Sequence, residues 1–237
     1  MVRSKTSLIF LQRHEMPAPG AVVLVRNTGS IMTDVVHSTK EAIGFCCEPF
    51  PDGDGWTWTL TTRLGNLLRE AEERYGQRDL IWTPIGIEFG GEIPHVWYPG
   101  NSKTVSIMLT ESARNDPRRA IFQLAHEIVH LLAPTGGRKA PVIEEGIATI
   151  FSYEVAERFG PAYGTPSRPY FYSRLLTEQL LTMYPKAIKI LRTEKLSFCE
   201  FTPTFVQKML PNVPDNLAAD LCEPFAAVEA RLKSAGA

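Results

Sequence analysis

Residues 123–130 read Gln-Leu-Ala-His-Glu-Ile-Val-His, which places His126, Glu127 and His130 in the order His-Glu-x-x-His. Residues four apart on an α-helix lie one turn apart on the same face. Both imidazoles can therefore turn to one metal ion. Glu127 is one position on from His126, so its carboxylate sits beside that ion and not on it. A carboxylate so placed can take the proton of a water made acidic by the metal. The neighbours Phe122, Leu124, Ala125, Ile128, Val129, Leu131 and Leu132 are almost all apolar, which predicts a buried helix. Two histidines and a glutamate are costly to bury unless something pairs with them, and a metal ion is the simplest partner.

Two histidines leave a catalytic site one protein ligand short. Glu144 and Glu145 open the next apolar segment, and fourteen residues separate His130 from Glu145. The elements that must carry these groups are legible. Asn115-Asp116-Pro117 is a helix start, with a capping side chain and then proline in the first turn. The helix should run to about residue 132 and stop before Pro134. A second helix is predicted over residues 142–159, closed by Gly160-Pro161. A short turn joins the two, so they are antiparallel neighbours, and the start of the second faces the end of the first. A helical wheel puts Ile143, Ile147, Ile150 and Phe151 on one face, with Glu144 nearer to it than Glu145. Periodicity alone thus leans to Glu144 as third ligand and leaves Glu145 open.

The pair of motifs resembles the gluzincin metallopeptidases. Their aminopeptidase branch takes its third ligand from a Glu-Gly-apolar-Ala sequence, similar to Glu145-Gly146-Ile147-Ala148. The run from Gly146 to Phe151 is similar to the segment that follows the ligand in the thermolysin-like branch. The resemblance therefore implies Glu145, with Glu144 as the alternative. Residues 106–132, with Arg118 and Arg119 at the helix start, also resemble the strand-then-helix unit of ImmA/IrrE-type peptidases. The likeness covers roughly residues 104–155. It implies a zincin-like α+β fold: a small N-terminal sheet above the HExxH helix and a helical C-terminal subdomain. It also implies a zinc-dependent peptidase acting on a peptide or protein, with Zn2+ on His126, His130 and Glu145 and Glu127 as general base.

Departures from the family pattern are equally specific. Thr149 stands where thermolysin-like enzymes carry an aspartate that orients a metal histidine; a hydroxyl accepts from imidazole less strongly. The spacing to the third ligand is short, which implies a pared-down form. No Gly-x-Met-Glu-Asn segment is visible. The oxyanion formed in peptide hydrolysis needs a second stabiliser, for which Tyr153, Tyr170 and Tyr172 are candidates; Tyr163 and His95 are weaker ones. Residues 105–110 are expected to form either the sheet edge that pairs with extended substrate or an ordinary interior strand. Competing readings are a regulator that keeps the zincin fold only to bind a partner, and a metal-free structural domain. Glu127 tilts against the regulator, because a site needing only metal has no use for that carboxylate.

The rest of the chain supplies the frame. Strands are expected over residues 21–25, 80–89, 95–98 and 104–110, and a helix over 61–75. After residue 160 the pattern is helical, with breaks at Pro185, Pro203, Pro211 and Pro214. Strands first and helices after indicate an α+β layout. It divides into a mainly β part, residues 1–114, and a helical part, residues 115–237, that together form one catalytic unit. The chain has 237 residues, 44% hydrophobic, with a formal net charge of -1, which argues against a nucleic-acid or membrane-surface binder. No signal peptide or membrane span is visible, which implies a cytoplasmic protein. The four cysteines, Cys46, Cys47, Cys199 and Cys222, show no CxxC spacing, and the adjacent pair reads as small core residues. Trp56, Trp58 and Trp82 read as packing anchors. His14 and His37 carry no supporting context. Oligomeric state is not encoded in any visible pattern.

Overall fold

The computed structural model describes residues 58–135, 140–160 and 164–234, with two short strands, β1 (Ala21–Val22) and β2 (Val36–His37). The chain divides into two units, residues 1–42 and 43–237. In the first, β1 and β2 pair antiparallel, with Ala21 opposite His37 and Val22 opposite Val36. His14, Cys46, Cys47, Trp56, Tyr163 and the remainder of the strand expected over 21–25 lie outside the described residues.

In the second unit, helix α1 (Leu60–Tyr75) begins at a reciprocal cap, Thr59 with Thr62. Leu64, Leu67, Leu68, Ala71 and Tyr75 recur at helical spacing and are buried. Three strands follow: β3 (Thr83–Gly91), β4 (His95–Trp97) and β5 (Thr104–Thr110). The strand expected from residue 80 starts later because Asp79 organises a turn: its carboxylate accepts from Ile81 N at 3.0 Å. β3 reaches Gly91 through a bulge at Gly90, where φ is +145°.

The sheet order is β3-β5-β4, with β5 parallel to β3 and antiparallel to β4. Residues 105–110 are therefore the interior strand and not the sheet edge, which corrects the proposal that they pair with substrate. The chain runs out along β4, turns through Gly100 and Lys103, both at positive φ, and returns as β5 between the other two strands. Burial explains the central place. Val105, Ile107 and Leu109 are fully buried, and Ser106 on the opposite face is also buried, its hydroxyl donating to Gly86 O at 3.0 Å.

Helix α2 (Pro117–His130) follows β5 after a short turn. Asp116 caps it by accepting from Arg119 N, and Pro117 sits in its first turn. Ala120, Ile121, Leu124, Ala125, Ile128 and Val129 are fully buried. Each large apolar side chain there contributes roughly 1.5–3 kcal/mol. Helix α3 (Val142–Arg158) is buried on nearly every side from Val142 to Tyr153, packed between α2 and α4 (Arg168–Met183). Then come α5 (Ala187–Glu194), α6 (Pro203–Met209), α7 (Asp215–Cys222) and α8 (Phe225–Ser234), broken at the prolines as expected. The fold of the described residues is thus α+β, one helix and a small three-stranded sheet followed by seven further helices. No helix among them is long and apolar enough to cross a membrane.

Two of the expected packing anchors are described. Arg63 lies over the Trp58 ring, 4.3 Å from its centroid. Trp82 packs edge-on against Tyr98 at 5.3 Å. Arg119 reaches back to the Asp116 carboxylate at 3.5 Å, and the Arg118 guanidinium lies over Gly160 at the end of α3. Cys222 is a free thiol.

Candidate metal centre

The end of α2 and the start of α3 meet as antiparallel neighbours, and their polar groups meet with them. His126 and His130 face inward from the last two turns of α2. Glu144 and Glu145 lie in the first turn of α3. Each placement suits its helix dipole: carboxylates at the positive N-terminus, a potentially cationic imidazole at the negative C-terminus.

Ligating atoms of His126, His130 and Glu145 all lie within 4.8 Å of one another. His126 Nε2 is 3.2 Å from Glu145 Oε2, and His130 Nε2 is 3.7 Å from Glu145 Oε1. A tetrahedral zinc ion with ligands at about 2.0–2.1 Å needs its donors about 3.3 Å apart. The two separations straddle that value. Glu145 Oε2 is buried, with an imidazole nitrogen 3.2 Å away. Two imidazoles and a carboxylate brought to one point from two helices form a donor set that a cation can bridge. The residues fit a metal ion.

Glu144 and Glu145 are both in the site, in different places. His130 Nδ1 donates to Glu144 Oε1 at 2.8 Å. A carboxylate only accepts, so the proton sits on Nδ1 and Nε2 is aimed at the metal position. Thr149 does not orient an imidazole. Its hydroxyl donates to Glu145 O at 2.7 Å within its own helix. Orientation of His130 thus comes from the residue beside the third candidate ligand, and not from four residues after it.

The electrostatics follow from burial and charge density. Burial opposes a charge on His130, but Glu145, Glu144 and Glu127 together push its pKa up to about 10. Burial raises the Glu145 carboxyl, yet His130 and His126 outweigh it and hold it below the usual carboxylate range. Glu127 is 4% exposed. Burial raises its pKa, His130 and His126 oppose the rise, and Glu145 adds to it. A raised carboxyl is a better proton acceptor.

Behind the site, Arg192 of α5 is 3% exposed. Burial brings its pKa down to about 10 against the pull of Glu144 and Glu72. It donates to five backbone carbonyls: Tyr75, Gly76, Gln77, Leu132 and Leu196. The carbonyl of Leu132 lies just past the metal-site helix. No motif announces Arg192; its signal is only tertiary.

A cleft of about 770 Å³ reaches the site at His126 and Glu127. Ile93 and Pro94, leading into β4, form one wall; Phe122, Tyr153 and Tyr170 line others. Tyr170 is the tyrosine brought next to a candidate ligand, its ring 5.7 Å from that of His126. Burial, then Glu145 and Glu127, raise its pKa and keep the hydroxyl protonated. Tyr153 stacks edge-on against Phe122 at 5.1 Å. Tyr172 does not line the cleft; the charges that act on it are those of Asp220, Arg231 and Glu223. His95 sits on β4, its Nδ1 3.0 Å from Ile93 O, and its charge acts on Glu127.

Comparison of the chain with family models, with curated proteins and with solved structures yields no match.

Proposed function

We propose that the protein is a metal-dependent hydrolase that binds zinc through His126, His130 and Glu145. More narrowly, we read it as a gluzincin-like peptidase of reduced size. The observation that carries the reading is the arrangement of these three donors at the meeting of α2 and α3, with the buried Glu127 carboxylate beside them. A zinc ion held there would supply a Lewis acid for the scissile carbonyl and would lower the pKa of the attacking water. Glu127 takes the proton of that water and passes it to the departing amide nitrogen. Tyr170, kept protonated, donates to the oxyanion as it develops. Glu144 holds His130 in the tautomer that frees Nε2.

The extended substrate lies along β4, not β5. Among the described residues β4 pairs only with β5, and the residues just before it line the cleft. Strand addition on the free side of β4 would deliver a peptide over the site.

The test compares wild type, Glu145→Ala and Glu127→Gln. Elemental analysis should find about one zinc per wild-type chain, about one in Glu127→Gln and much less in Glu145→Ala. Wild type should cleave members of an unbiased peptide library, and Glu127→Gln should lose about 10²–10⁴ of that rate. Absence of zinc from wild type after metal is supplied would defeat the metal reading. Cleavage that survives Glu127→Gln would defeat the mechanism. If neither protein cleaves but zinc is bound, the partner-binding reading takes its place.

A further inference from the structure

The cleft takes one acidic side chain from near the C-terminal end of the chain. Glu229, on α8, lines it together with Tyr170. The helix is held in place by three attachments. Val142 N donates to Glu223 O at 2.9 Å, and Phe225 N donates to Ala140 O at 3.0 Å. The Phe225 ring lies against Tyr170 with centroids 4.8 Å apart. Two of these attachments fall on the lead into α3, the helix that carries Glu144 and Glu145. The placement of Glu229 is therefore tied to the placement of the metal donors.

The charge of Glu229 reaches the reaction centre. After burial, Glu145 and Glu127, it is the next influence raising the Tyr170 hydroxyl. Its ion-pair partner is Lys233, one turn on at 2.8 Å, whose side chain is 70% exposed. An exposed pair of that kind is weak and exchanges readily. A cation arriving between the aromatic walls of the cleft meets a lower dielectric and a stronger attraction. A carboxylate arriving at the same place meets repulsion from Glu229. The cation that lines the cleft, Arg119, already holds Asp116 at 3.5 Å.

Building on the peptidase reading above, we propose that Glu229 selects peptides that place a cationic nitrogen, from a lysine or arginine side chain or a free amino terminus, in the cleft. Glu229 is on this view a specificity residue. It sorts substrates without taking part in the chemistry.

The test uses zinc-loaded full-length Glu127→Gln as the binding form, with three fluorescent peptides that share one neutral core. One is N-acetylated and neutral, one N-acetylated with a lysine, and one neutral with a free amino terminus. Anisotropy titrations should show at least one cationic peptide bound about fivefold more tightly than the neutral one. Which of the two gains identifies the source of the nitrogen. Adding Glu229→Gln should remove the preference, and adding Glu229→Lys should reverse it toward an acidic peptide. Lys233→Ala, which frees Glu229, should keep or sharpen it. A parent form without preference, or a preference that survives both Glu229 variants, overturns the proposal. Hydrolysis by wild type is scored separately. Glu229-dependent binding without cleavage would defeat the peptidase reading alone, and cleavage indifferent to charge would defeat this proposal alone.

Discussion

Glu144 and Glu145 are chemically identical neighbours with different surroundings. Glu145 faces both Nε2 atoms, whereas Glu144 accepts from the back of His130. Replacing Glu144 with glutamine keeps the size but weakens the acceptor that fixes the tautomer. Zinc affinity should fall about 10–100-fold, read by competition with a chromogenic chelator. If affinity is unchanged, Glu144 has no orienting role. Tyr170 is judged at the same scale. Tyr170→Phe leaves the ring against His126 and Phe225 but removes the hydroxyl. The expected outcome is a drop of about 10²–10³ in kcat with zinc content and KM near wild type, as for a lost oxyanion donor. A variant that lost zinc as well would make Tyr170 part of the packing instead.

At the scale of elements, Gly146 decides how closely α3 and α4 approach. A Cβ there would come within 2.0 Å of Thr177 Oγ1 and 2.4 Å of Ser173 O. The backbone oxygen cannot step aside without moving α4. Gly146→Ala should therefore destabilise the protein by about 1–3 kcal/mol, in spite of alanine's better helix propensity, as measured by urea midpoint. A stabilised variant would show that the two helices can part freely. Arg192 performs a related task. It gathers carbonyls from the end of α1, the end of α2 and the segment after α5 around one buried guanidinium. Arg192→Ala strands those carbonyls and should cost about 3 kcal/mol or more.

At the scale of the whole molecule, stability is expected to depend on pH and, on the proposed function, on zinc. Glu70 of α1 is bonded by Arg158 of α3, and Arg74 pairs with Glu70 and Glu154. The Arg158 hydrogen bond, against burial and with the charges of Arg158 and Arg74, holds the Glu70 carboxyl below its usual 4.5. A depressed folded value stabilises above the unfolded pKa and stops doing so as pH falls through the folded one. Urea midpoints of wild type should therefore fall on acidification below 4.5 more steeply than those of Glu70→Gln. Parallel curves would mean that the network contributes nothing. Zinc acts on the same equilibrium. Binding to the folded state alone adds about 2.7 kcal/mol at a hundredfold excess over Kd, so Tm should rise with zinc and drop on chelation, with no response in Glu145→Ala.

The linear order of residues determined the local chemistry here. His126 and His130 share a face because helical geometry repeats every 3.6 residues. Asp116 and Pro117 start the helix because capping is a matter of adjacent residues. Gly160 and the later prolines mark breaks for the same local reason. What sequence could not decide were the pairings over distance. Residues 104–110 alternate in a way that suits an edge, but strand order depends on where β4 turns back, and β5 became the middle. Periodicity leaned to Glu144 because it ranks faces by apolar neighbours. The fold needed a face for each glutamate, one toward the metal position and one toward the back of an imidazole. Arg192 and Glu229 joined the site from 62 and 99 residues beyond His130. No local rule announces them, because a buried cation or a carboxylate in a cleft acquires its meaning only from what the tertiary structure packs against it.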